Sequence, residues 1–97
     1  MQYAGTPVYM APELFQKRQY DETVDVFAFG TLLWELVCRE VPYDGLEAVD
    51  IRSKVEKGEP LKMAYNVDPR LAQLVGACRS VQASQRPSFD QIVSTLA

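Results

Sequence analysis

The sequence predicts an all-α fold of about five helices packed around one central apolar helix, residues 24–38. Three observations lead there. The run from Val24 to Cys38 is apolar nearly all round and too long for an ordinary strand. Two later segments carry apolar residues at i, i+3, i+4 and i+7, the spacing of one helix face. Start and stop residues for helices recur between these segments, and there is almost no strand signal.

The elements follow in chain order. Residues 11–16 form a short helix, because Pro12 suits a first helical position, where its missing N–H costs nothing. Lys17 to Tyr20 is a polar connector, and Asp21 to Thr23 offer N-caps for the central helix. Arg39 to Asp44 is a loop interrupted by Pro42. Asp44-Gly45-Leu46-Glu47 has the spacing of a capping box, and the helix it opens runs to Lys57 and stops at Gly58. Asp50 and Lys54, and Arg52 and Glu56, stand four apart, as exposed helical pairs do. Glu59 to Val67 is a longer loop. Asp68-Pro69 restarts a helix whose inner face is Leu71, Leu74, Val75 and Cys78. Arg79 to Pro87 is polar loop. Ser88 and Gln91 make a second capping box, opening a helix with Phe89, Ile92, Val93 and Leu96 on one face.

Bulk properties narrow the classes. The 97 residues amount to one domain at most, burying only roughly 60–65% of the unfolded surface. Hydrophobic content of 47% is globular. A net charge of −3, from 10 basic and 13 acidic residues with no block of like charge, argues against nucleic acid and anionic membrane surfaces as partners. No apolar run reaches the ~20 residues of a membrane span, and Met1-Gln2-Tyr3-Ala4 lacks the regions of a signal peptide. Two distant cysteines, Cys38 and Cys78, without a single histidine, cannot make a four-ligand zinc site. Both fall on apolar helical positions and read as buried reduced thiols, which favours a reducing cytoplasmic setting.

Four landmarks carry a family resemblance: Gly5-Thr6-Pro7-Val8-Tyr9-Met10-Ala11-Pro12-Glu13, Asp25-Val26-Phe27-Ala28-Phe29-Gly30, Val41-Pro42-Tyr43 and Arg86-Pro87-Ser88-Phe89. In this order and spacing the chain resembles the C-terminal lobe of a eukaryotic-type protein kinase, from the end of the activation segment to the last helix. Residues 1–97 are thus expected to be a partial kinase domain without the N-lobe and catalytic loop. The Gly5-Thr6-Pro7 lead-in is similar to serine/threonine kinases, whereas residues 29–36 and the Leu71…Cys78…Arg86-Pro87 pattern are similar to tyrosine kinases. That mixture resembles the tyrosine-kinase-like group of serine/threonine kinases. Ala28 departs mildly from a family position where many relatives carry serine.

The resemblance implies a parent protein that transfers the γ-phosphate of ATP, with magnesium, to serine or threonine of protein substrates. Phosphoryl transfer in such enzymes needs a glycine-rich phosphate loop, a strand lysine with its glutamate, a catalytic-loop aspartate and a metal-binding aspartate. This chain has no G-x-G-x-x-G, no Asp-Phe-Gly and, lacking histidine, no His-Arg-Asp. It is therefore expected to hold no catalytic residue and no cofactor of its own, and to carry the substrate-side loop and lobe scaffold. Its expected partners are the missing N-lobe and catalytic loop, and the parent's protein substrate. A scaffold formed by a pseudokinase, or a stand-alone helical interaction module, is the alternative.

By the same resemblance, Thr6, Pro7 and Tyr9 face the substrate, and the Thr6 hydroxyl would bond to a catalytic aspartate and lysine that this chain lacks. Glu13 and Arg86 are expected to form a buried ion pair. Asp25 would accept hydrogen bonds from the absent catalytic loop, which leaves it solvated, re-paired, or simply an early-helix carboxylate favoured by the dipole. Trp34 and Tyr43 read as packing residues. The flank of helix 24–38 that the missing parts would cover is expected to be exposed, giving a chain that self-associates or packs loosely. Residues 1–13 are expected to be mobile for the same reason.

Overall fold

The computed structural model describes residues 7–97. Pro7–Tyr9 form one 3-10 turn. Five α-helices follow: α1 Pro12–Phe15, α2 Thr23–Cys38, α3 Ala48–Glu56, α4 Pro69–Cys78 and α5 Phe89–Leu96, with a second 3-10 turn, Ala83–Gln85, before the last. No strand occurs among the described residues. The architecture is the all-helical one expected of a kinase C-terminal lobe.

The all-round apolar character of α2 has a direct consequence: it divides the core in two. Val26, Leu33 and Trp34 pack with Leu74, Val75 and Cys78 of α4 and with Ile92 of α5. Val24 and Phe27 pack instead with Ala11 and with Ile51 and Val55 of α3. At roughly 25 cal/mol per Å² of apolar area, these two clusters supply most of the stabilisation that a chain this short can gather. Gly30 sets the distance between α2 and α4. A Cβ there would stand 2.7 Å from Cys78 Cβ and 2.9 Å from Arg79 Cγ. Trp34 is buried and donates its indole N–H to the Lys62 carbonyl at 3.0 Å, tying the long 59–67 loop to the core.

Local signals hold where the neighbours are local. The Asp68 carboxylate accepts from the Arg70 backbone N–H at 2.8 Å. The Ser88–Gln91 capping box closes in both directions, at 2.8 and 3.1 Å. Gly58, with φ +73°, stops α3. Asp21 does not itself cap α2, whose N-cap is Glu22, but its carboxylate accepts from the Thr23 backbone N–H at 3.0 Å.

Several expectations need correction. The 44–47 capping box does not form: α3 begins at Ala48, and its N-cap, Glu47, makes no side-chain cap. Tyr43 and Gly45 take positive φ (57° and 81°), and Leu46 N–H donates to the Tyr43 carbonyl, so these residues make a turn ahead of the helix. Lys54 reaches Glu59 at 3.7 Å, while Arg52 pairs with Glu56 at 2.7 Å as its spacing suggests. Of the four apolar residues on the inner face of α5, only Ile92 is buried; Phe89, Val93 and Leu96 remain 42, 65 and 48% exposed. Cys78 is fully buried, but Cys38 is only half-buried, its sulfur accepting from the Ala64 N–H at 3.4 Å.

Along α2, Leu32 (45%) and Leu36 (67%) are exposed, forming the flank expected to be uncovered. The radius of gyration is 12.8 Å, against about 13 Å usual for a folded chain of this size. Residues 7–13 are built against α2 and α3, with Ala11, Pro12 and Glu13 buried.

Candidate functional site

The site begins with the tight turn that Pro7 imposes. Pro7 cannot donate a hydrogen bond but can accept one, and its carbonyl receives the Met10 N–H at 3.2 Å, closing the 3-10 turn. That turn holds Tyr9 half-buried against α2, where its hydroxyl donates to Glu35 Oε1. The hydrogen bond to the Glu35 carboxylate, with burial and the carboxylate's charge, pushes the Tyr9 phenol above its ordinary value. Glu35 lies in the fourth turn of the central helix, so the loop end and the lobe's main helix meet at this polar contact. Thr6 lies outside the described residues.

Two residues beyond Tyr9 the chain turns into α1, and this turn buries Glu13. Its carboxylate receives both arms of the Arg86 guanidinium, Nη1 to Oε2 at 2.8 Å and Nη2 to Oε1 at 3.0 Å. Arg86 is fully occupied. Its Nε donates to the Ser80 carbonyl (2.8 Å), its second Nη1 proton to Thr23 (3.1 Å) and its second Nη2 proton to Val81 (3.5 Å). All five guanidinium protons thus have acceptors. Three separate segments are joined at one buried cation: α1, the first residue of α2, and the loop between α4 and α5. Burial acts most strongly on Glu13 and pushes its carboxyl upward. The Arg86 hydrogen bonds, a backbone donor and the Arg86 charge together outweigh it, so the carboxyl sits below its ordinary value.

Asp25 stands in the first turn of α2, half-buried, where a carboxylate is favoured by the helix dipole. It lies on the same helix as Glu35.

One residue escaped the sequence reading. The sequence places Arg79 in polar loop; in the fold it is the C-cap of α4 and turns back into the core. Its Nε donates to the Thr31 hydroxyl at 2.9 Å and its Nη2 to the Tyr43 hydroxyl at 2.8 Å. Its guanidinium carbon lies 4.7 Å from the centre of the Phe27 ring, and that of Arg86 lies 5.1 Å from the same ring. Phe27, buried on α2, therefore carries two cations against its π-system. The available signal was register. Position 79 is four beyond Val75 and eight beyond Leu71, which continues the buried face of α4.

The fold and this site place the molecule in a class. Residues 2–96 match the family of protein tyrosine and serine/threonine kinases, and the chain belongs to it. It is 41% identical, over 92 residues and 95% of its length, to a probable LIM domain-containing serine/threonine-protein kinase of Dictyostelium discoideum. It is 39% identical over 93 residues to a serine/threonine/tyrosine-protein kinase of Arabidopsis thaliana. A probable serine/threonine-protein kinase of Dictyostelium is similar at 40% over 93 residues. The chain spans 14, 24 and 10% of the lengths of these three proteins. Among the described residues, no helix is long and apolar enough to cross a membrane.

Proposed function

We propose that this chain is the substrate-side helical part of a protein serine/threonine kinase, residues 1–97 running from the end of the activation segment to the last helix of the lobe. In this reading Thr6, Pro7 and Tyr9 form the wall against which a protein substrate rests, and Glu13, Asp25 and Arg86 hold that wall to the lobe. The observation that carries the reading is the joining of the Tyr9 turn to α2 through Glu35 and Arg86 in a chain that matches the kinase family from end to end. A turn pinned at Tyr9 and again at Glu13 presents its face at a reduced ordering cost, which is what a positioning surface requires.

ATP and magnesium act in the parent. Among the described residues no three histidine, cysteine or carboxylate side chains converge to hold a metal ion. The phosphate-handling residues belong to the segments that the resemblance places before this one. The chain alone transfers no phosphate. Its exposed flank, Leu32 and Leu36 of α2, is where the rest of a catalytic domain would pack, and in the isolated chain a second copy takes that place.

A chimera tests the assignment. Residues 2–96 replace the matching stretch of the Dictyostelium LIM-domain kinase, and phosphate transfer to serine and threonine of a general protein substrate is followed. The expected result is an active chimera, an inactive isolated chain, and no shift in the isolated chain's melting temperature with ATP and magnesium. A folded chimera without activity, or a melting shift of several degrees in the isolated chain, would overturn the proposal.

A further inference from the structure

Between the end of α3 and the outer side of α4 lies a cavity of about 350 Å³, away from the Tyr9 turn. Phe27, Val55, Leu61 and Val75 line it, and Arg79 is the one cation among its lining residues. Such a volume lies within the range of small-molecule sites, roughly 300–1,000 Å³, and mostly apolar walls with a few polar groups, here Glu59, Arg79 and Ser80, are their usual chemistry.

Gly76 keeps the cavity open. Glycine is a poor interior helix residue, and two reasons commonly justify it. Neither applies here: Gly76 has no positive φ, and a Cβ added to it would meet nothing within 4 Å. Gly30, packed on Cys78, is the opposite case. The consequence of the missing Gly76 side chain is the open wall itself, one turn after Ala72, which also lines it.

Arg79 gives the cavity its polarity. Its Nε and one Nη2 proton go to neutral hydroxyls, those of Thr31 and Tyr43, and no ion pair among the described residues includes it. Its Nη1 has no acceptor among them either. Among the described residues no fully buried side-chain nitrogen lacks a partner, so Nη1 is not fully enclosed. Glu59 also borders the cavity, but its carboxylate is 3.7 Å from the Lys54 ammonium, which balances the rim.

We infer that the cavity binds a small apolar monocarboxylate: an aliphatic or aromatic body against Phe27 and Val75, and a carboxylate on the free arm of Arg79. A charge-assisted hydrogen bond fixes the acid end, and burial of the body supplies the rest. This site does not depend on the phosphotransfer reading.

Octanoate and 4-phenylbutyrate, titrated separately into the 97-residue chain and followed by amide-resolved NMR, provide the test. Saturable shifts are expected at Gly58, Gly76 and Arg79. Gly76→Leu should fill the cavity and weaken binding by at least about tenfold, with no fall in melting temperature, since leucine is the better helix former. Arg79→Met should weaken octanoate by about tenfold while leaving 1-octanol unchanged. Absence of saturation, shifts centred on Leu32 and Leu36, or octanol binding as tightly as octanoate to the unaltered chain would overturn the inference. So would selective binding of a peptide with a free C-terminal leucine over both acids, which would make the ligand a protein terminus.

Discussion

Glu13 and Arg86, 73 residues apart, meet in a two-pronged ion pair at 2.8 and 3.0 Å, with the Arg86 side chain fully buried. Removing either partner leaves the other charge buried and uncompensated, a loss of about 3–5 kcal/mol. Small domains hold only about 5–15 kcal/mol in total. Arg86→Lys keeps the charge but loses the planar fork and most of its five bonds, so it should destabilise nearly as much as Arg86→Met. Urea unfolding checks this, and a loss below about 1 kcal/mol for Glu13→Gln would contradict it.

The same pair makes stability depend on acid. Burial favours the neutral Glu13 carboxyl, but Arg86 and the backbone donor prevail and its folded pKa lies below 4.5. The unfolded chain therefore binds the proton more readily. The contribution is present above the ordinary value and disappears as pH falls through the folded one. Asp21, Glu56 and Asp68 are lowered in the same direction by their hydrogen-bond donors. The stability difference between the chain and its Glu13→Gln variant should be constant near neutrality and shrink below pH 4.5. A difference that grows on acidification would refute the assignment.

The two cysteines should separate cleanly. Cys78 is wholly buried and burial pushes its thiol to about 11. Cys38 is half-buried. Because the thiolate is the nucleophile, iodoacetamide at mildly alkaline pH should label Cys38 and spare Cys78 until the chain unfolds. Mass spectrometry of the peptides reads the order directly, and equal labelling of the folded chain would be the contrary result.

Gly30 and Gly76 are both interior to helices, so alanine improves propensity at each. Packing divides them. Gly30→Ala brings a Cβ to 2.7 Å from Cys78 and should cost about 1–3 kcal/mol by forcing α2 from α4. Gly76→Ala meets open space and should gain about 0.4–1 kcal/mol. Thermal melts of the two variants should move in opposite directions, and a shared direction would mean that propensity alone is being measured.

The exposed flank of α2 supplies the last prediction. Leu36 is 67% exposed, so Leu36→Glu should leave the core untouched and abolish concentration-dependent association. Light scattering after size exclusion, at several concentrations, reads it. An unaltered chain that stays monomeric throughout removes the proposal of self-association.

Much of this protein was determined by short-range sequence. α1 begins at Pro12, α2 ends at Cys38, and Asp68 and Ser88 cap their helices because each of those choices involves residues within about four positions. The family is equally legible, since its motifs are contiguous runs. The false capping box at Asp44 shows where locality ends: the residues were right, but the positive φ of Tyr43 turned the chain first. The Glu13–Arg86 contact could be expected only from the resemblance, because nothing in a spacing of 73 brings two charges together. The register of α4 puts Arg79 on the buried face, but tertiary structure alone decided what it meets there. Its hydroxyl partners stand 36 and 48 residues away, and only the close passage of α4 over Gly30 carries it to them.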